Sequence, residues 1–321
     1  MISWLLDIFA GDCWREYGSI MVFRDRNDFW GEAFTLDGSI RLHVISYVFV
    51  FGLIASLTCG LVELIEWFCR VRVVLEVAPY EIAGAALGLL LVLRTNAGYD
   101  RWWEGRKLWG GIVNQSRNAA VSATVYGPDD AEWQEKMNRL LAAFPYVSLC
   151  CLRAKPPSEV VARLVGAGEA DQIAKANHMP SYVSARIADL LREARDRFGM
   201  DGFGFMQIDR ERVLLIDHVG ACERILKTPL PKVYGIEIRR FIALFLLMLP
   251  LVLLHRLDGV WMVPFITMIV AYPLLAIDQI GIELQNPFST ENLGHLPLDE
   301  LCSAIEGNVS GILKAKRTVE P

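Results

Sequence analysis

Hydrophobic positions along the chain gather into long unbroken runs separated by charged, amphipathic stretches. A bilayer core takes about 20 mostly apolar residues per helix. The first run of that kind goes from Leu42 to Phe68, with Glu63 and Glu66 near its far end. The second begins at Pro79, continues to Arg94, and is expected to extend as a polar helix past Arg101. A third, Phe241 to Leu254, is entered through Arg239 and Arg240; after a short loop from His255 to Gly259, a fourth runs from Val260 to Ile277. Pro250, Pro264 and Pro273 lie in these last two helices, where neighbours can satisfy the freed carbonyls.

The segment between the second and third runs keeps a helical period. Asp130–Leu152 carries apolar residues at helix spacing behind Pro128, with Asp129 or Asp130 as N-cap. Ser181–Phe198 repeats the pattern, and Arg210–Lys227 supplies another helix that ends before Pro229 and Pro231. Neither strand alternation nor an internal repeat is visible, and Ile2–Ala10 reads as a short amphipathic helix. The expected fold is an all-α membrane protein with four transmembrane helices. It divides into residues 1–41 (N-terminal, cytosolic), 42–98 (spans one and two), 99–235 (helical, cytosolic), 236–280 (spans three and four) and 281–321 (cytosolic tail). An even number of spans puts both termini on one side. Arg94, Arg101, Arg106, Arg239 and Arg240 outweigh Arg70 and Arg72 and place that side in the cytoplasm of a cell (inner) membrane.

Composition narrows the function. With 53% hydrophobic and 21% charged residues the chain is not disordered. A net charge of -5 leaves no basic surplus for a nucleic-acid backbone. Seven cysteines form no CxxC pair and five histidines no HExxH pattern, so neither a metal site nor a cofactor is expected. Cys150-Cys151 reads as a pair of inert core thiols without a histidine partner, and with no nucleophile–base pair in view the chain is not expected to be an enzyme. Asp278 and Glu283 close the fourth span as solvated or ion-paired carboxylates, and His255 and Arg256 need no special role.

The densest chemistry lies just past the second span, in RTNAGYDRWWEGRKLWGG from Arg94 to Gly111. Composition alone reads it as an interfacial aromatic belt with helix-surface ion pairs. Tyr99, Asp100, Arg101, Trp102, Trp103 and Glu104, followed by Arg106-Lys107-Leu108-Trp109-Gly110, resemble the signature behind the pore helix of bestrophins, specifically bacterial ones. Further matches fall in the family's order. They are Gly18-Ser19-Ile20, Cys222-Glu223-Arg224-Ile225 with Thr228-Pro229-Leu230-Pro231, Asn286-Pro287-Phe288, and Leu296-Pro297-Leu298-Asp299.

This resemblance implies a homopentamer in the lipid bilayer around one central pore, with 79–98 as the pore helix. Its neck would be lined at Ala85, Leu89 and Leu93, three stacked apolar rings that gate by dewetting. Ala85 is smaller than the family's usual outer residue. The bland alternative is that Gly84, Gly88 and Ala86 merely let helices pack closely. Phe203 is the candidate for a second, cytosolic constriction, or else a core phenylalanine. The calcium clasp of animal members is missing, since Ser289–Gly294 holds only Glu291. The implied function is a channel for small monovalent ions that does not need calcium; the alternative is a membrane scaffold or enzyme acting through its cytosolic helices. Glu81, one turn outside Ala85, would ring the outer mouth with carboxylates and favour cations such as sodium over chloride. A chloride-selective channel of the same fold is the competing reading.

Overall fold

The computed structural model describes residues 39–70, 72, 75–257, 259–290 and 294–319, with backbone alone for 39–43 and 317–319. The expected helix at Ile2–Ala10, Gly18-Ser19-Ile20 and Glu291 lie outside the described residues. Among the described residues there are ten helices and no strand. They are α1 (Ser39–Cys69), α2 (Val77–Tyr126), α3 (Ala131–Leu152), α4 (Glu159–Val165), α5 (Ala167–Lys175), α6 (Met179–Phe198), α7 (Gly202–Lys227), α8 (Lys232–Leu253), α9 (Met262–Glu283) and α10 (Leu298–Val319).

Three helices are long and apolar enough to cross a membrane, at Val44–Cys69, Val77–Tyr126 and Met262–Glu283. The third expected span falls short of that standard. Glu237, Arg239 and Arg240 lie within α8, and only its second half is continuously apolar. One face of α8 nevertheless packs inward: Ile238, Ile242, Leu246 and Leu249 cluster with Leu87 and Leu91 of α2 and Ala271 of α9. A smaller cluster of Cys59, Val62, Leu254 and Val263 ties α1 to the α8–α9 connection.

The boundary expected between residues 98 and 99 runs through the middle of a helix. α2 continues without a break for 50 residues, about 75 Å at 1.5 Å per residue, so one element belongs to both the membrane part and the larger helical part. Below the membrane part, α2 packs with α3, α7 and α10, and α6 joins them through α3 and α7, around Trp109, Ile112, Met137, Phe144, Ile187, Leu215 and Phe288.

Local caps explain the starts. Asp130 accepts the Trp133 N–H at 2.8 Å and begins α3. His178 caps α6 through Nδ1, ahead of Pro180 in the first turn. α7 starts at Gly202, eight residues before the expected Arg210, because Asp201 accepts the N–H groups of Phe203 and Gly204 at 3.0 and 3.3 Å. The C-terminal tail is not loose either. Leu298, Cys302, Ile305, Val309 and Leu313 recur at helix spacing and are buried against α3 and α2.

Candidate functional site

Opposite faces of α2 have opposite fates. Leu87 and Leu91 are buried at 0% and 1% exposure, whereas Leu89 and Leu93 stand 61% and 50% exposed, and Ala85 and Glu81 are exposed as well. Ile82, which sequence reasoning passed over, is 72% exposed. At 100° per residue Ile82 lies within about 20° of both Leu89 and Leu93 on a straight helix, whereas Glu81 is about 120° from Leu93. Further down, Asn96, Asp100, Trp103, Lys107, Asn114 and Asn118 continue the exposed face, and Val121, Val125 and Tyr126 end it. The two glycines of the GxxxG pattern differ. A Cβ on Gly84 would come within 3.1 Å of the Phe245 ring, so that glycine serves packing, but a Cβ on Gly88 would meet nothing within 4 Å.

The signature residues hold α2 to its neighbours. Arg94, 3% exposed, forms a buried ion pair with Asp278, 6% exposed, and Arg239 Nε reaches the same carboxylate at 3.1 Å. Asp278 is therefore paired but not solvated, and Arg94 is a structural charge inside the helix bundle. Arg101 donates to the Thr228 carbonyl at 2.7 Å and to the Ile225 carbonyl, gripping the C-terminal end of α7 where its carbonyls lack helical partners. Trp102 Nε1 donates to the Gly294 carbonyl at 2.6 Å, and Glu104 accepts from Arg224 at 2.9 Å. Tyr99, Trp102 and Trp103 stack on one another with centroids 6.1 to 6.5 Å apart.

Asn286-Pro287-Phe288 docks on the same stretch. Asn286 Oδ1 accepts the Phe288 N–H at 3.2 Å and turns the chain, and Phe288 is then 1% exposed. Gly105 lets Pro287 approach so closely that an added Cβ would sit 2.9 Å from Pro287 Cγ.

Phe203 is no core residue. On the first turn of α7 it is 85% exposed, and with Tyr126, Met206, Gln207, Asp209 and Arg210 it lines a cavity of about 830 Å³ at the lower end of α2. His255 also has a partner: its Nε2 lies 2.8 Å from Glu66 Oε1 and joins α1 to the end of α8.

Cys151 is not isolated from histidine, contrary to the sequence reading. Its Sγ, His178 Nε2 and a Glu223 carboxylate oxygen all lie within 4.8 Å of one another. Burial and the Glu223 charge push the Cys151 thiol up, which disfavours the thiolate. Burial alone would raise Glu223, but hydrogen bonds from Lys227 and His178 outweigh it and hold the carboxyl below its usual range. These residues come from α3, the cap of α6, and α7, and no linear spacing announces them.

The comparisons with known proteins bear on the whole arrangement. Residues 21–311 match the model of a family described as Bacterial/Fungal Bestrophin protein. The chain belongs to that bestrophin family. Among curated relatives, it is 30% identical over 286 residues to a protein of Escherichia coli K12 named voltage-dependent anion channel-forming protein YneE, covering 89% of this chain and 92% of that one. A protein of Mesorhizobium japonicum with the same descriptive name is 32% identical over 290 residues, covering 90% and 91%. In fold, it is similar to the crystal structure of a bacterial bestrophin homolog from Klebsiella pneumoniae, with a TM-score of 0.75, 24% identity, and coverage of 84% of this chain and 98% of that one. Both curated relatives are named for anion channels, and neither of them for an enzyme.

Proposed function

We propose that this bestrophin assembles as a homopentamer with α2 innermost and conducts small monovalent ions across a cell (inner) membrane. One observation carries the reading: an apolar face of α2, at Ile82, Ala85, Leu89 and Leu93, is left uncovered by the described helices while Leu87 and Leu91 on the opposite face are fully buried. Five such faces around an axis form a neck whose apolar rings disfavour water when narrow. The names of the relatives support a channel. α8 serves as the remaining span, its short apolar half shielded by α2 and α9, and both termini lie in the cytoplasm. Phe203 forms the lower constriction; its support is its position beside Tyr126, at the far end of the same α2 face.

Anions are the favoured permeant class, because the relatives carry anion-channel names. The second reading, cations drawn by a ring of Glu81, has the exposure of that carboxylate in its favour and its angular offset from Leu93 against it. A reversal potential in asymmetric NaCl, measured on purified protein in a lipid bilayer, decides between them. A value near the chloride equilibrium potential supports anion passage. A value near the sodium potential that moves on Glu81→Gln overturns it. Absence of any current or flux at all voltages overturns the channel itself. Current that persists when calcium is chelated on the cytosolic face fits gating without a calcium clasp.

A further inference from the structure

We propose that Cys151, His178 and Glu223 form a binding site for a zinc-class divalent ion that clamps α3, α6 and α7 together. The donor set is mixed: thiol sulfur, imidazole nitrogen and carboxylate oxygen, the combination that suits borderline ions such as Zn²⁺ over Mg²⁺ or Ca²⁺. Glu223 Oε1 lies 2.6 Å from His178 Nε2 and 3.9 Å from Cys151 Sγ. From zinc bond lengths of about 2.0 to 2.3 Å, ligand atoms on a tetrahedral ion stand about 3.3 to 3.6 Å apart. To accept one, the imidazole and carboxylate atoms must part by about 0.7 Å and the sulfur must draw in, movements that side-chain tips can make. All three residues are partly exposed, which leaves a fourth position open to water.

The surroundings supply what metal ligands usually require. A ligating imidazole gives its other ring nitrogen to an acceptor, and Ser181 Oγ lies 2.6 Å from His178 Nδ1. Moving the ring proton from Nε2 to Nδ1 would let Nδ1–H donate to that hydroxyl and free the Nε2 lone pair, at the cost of the Ser181 N–H bond that Nδ1 accepts at the start of α6. Lys227 Nζ holds Glu223 Oε2 at 2.8 Å, leaving Oε1 for the ion and orienting the carboxylate. On binding, the Cys151 thiol would release its proton to solvent as the metal–sulfur bond forms. Glu223 lies directly before Arg224 and a little over one helical turn before Thr228, where α7 hands the chain on to α8.

The test uses the full chain purified in detergent, stripped with chelator and titrated with Zn²⁺ or Co²⁺ alone. One zinc per chain is expected. Co²⁺ should give a near-ultraviolet thiolate-to-cobalt absorption band, and zinc should protect Cys151 of the unmutated chain from alkylation, read by mass spectrometry. Cys151→Ser should remove the band and weaken zinc at least ~100-fold. His178→Asn should weaken zinc comparably while keeping a residue able to cap α6, and Cys150→Ser should change neither. No thiolate band and no protection of Cys151 in the unmutated chain would overturn the site. So would a folded Cys151→Ser chain that binds zinc as tightly as the parent.

Discussion

Removing the Asp278 carboxylate should be one of the most damaging single changes in the membrane part. Arg94 is 3% exposed, so Asp278→Asn leaves its guanidinium buried with no counter-charge. Breaking a buried pair on one side costs about 3–5 kcal/mol, because the remaining charge has lost its compensation without regaining water. Arg94→Met should cost less. The carboxylate it abandons keeps Arg239 at 3.1 Å, a side chain 59% exposed that already carries water with it. The double change Arg94→Met/Asp278→Asn removes both charges together and should cost about 2 kcal/mol or more below the sum of the singles. Unfolding of the purified protein by a rising fraction of denaturing detergent, followed by far-ultraviolet circular dichroism, measures all four corners of the cycle. A cost for Asp278→Asn under about 1 kcal/mol, or singles that simply add in the double variant, would refute the reasoning. Either outcome would mean that water or lipid headgroups reach Arg94 and the pair behaves as a surface one.

Three further outcomes are expected. Leu89→Ala/Leu93→Ala should raise single-channel conductance or open probability with assembly intact, whereas Leu87→Ala, at a site 0% exposed, should cost about 2–5 kcal/mol of stability instead; unchanged currents in the first variant would place the constriction elsewhere. Gly105→Ala forces a methyl to 2.9 Å from Pro287 Cγ and should lower stability by about 1–3 kcal/mol, and an unchanged thermal midpoint would show that the Asn286–Phe288 turn gives way freely. Acid should loosen α10. The Arg163 hydrogen bond holds Glu306 below its usual range and the Arg153 hydrogen bond does the same for Asp299, so their stabilisation is present at neutral pH and lost as pH falls below about 4, through the depressed folded values. Glu306→Gln should flatten that part of the melting curve against pH, and an identical curve would assign acid loss to other carboxylates.

What was legible in the sequence follows from how local each signal is. The spans of α1, α2 and α9 announce themselves by hydropathy, and the cap at Asp130 by one side chain before a periodic run. The start of α7 is harder. Gly202, Phe203, Gly204 and Met206 show no helical period, and the decision rests on Asp201 capping two backbone N–H groups. α8 mixes charges into its first half because Arg239 has a buried partner on another helix, which no hydropathy window can detect. For the same reason Arg94, Arg239 and Arg240 served the sequence reading as charges on the cytosolic side, although two of the three meet Asp278. His178 reaches Cys151 and Glu223 only through the packing of α3, α6 and α7.

The signature that identifies the family is a fastener, and this separates the question of fold from that of ion selectivity. Arg101, Trp102 and Glu104 bind α2 to the end of α7, to Gly294 and to Arg224, and Gly105 admits Pro287 and Phe288. Each of those contacts uses a side of α2 turned into the subunit, so Arg101, Trp102, Glu104 and Gly105 lie away from the uncovered face, while Asp100, Trp103 and Lys107 of the same signature lie on it. The uncovered side carries Ile82, Ala85, Leu89 and Leu93 above, then Asn96, Asp100 and Lys107. That face has little local structure to preserve, and its side chains can change without disturbing the contacts that hold the fold. Two chains can therefore share the fastener completely and differ in the ion they pass. Because α2 is one unbroken helix gripped at Arg94 and Arg101, a shift at either grip would move the proposed neck and the Tyr126–Phe203 end together. Loosening Asp278 should alter both proposed constrictions at once, whereas shortening Leu89 should alter only the upper one.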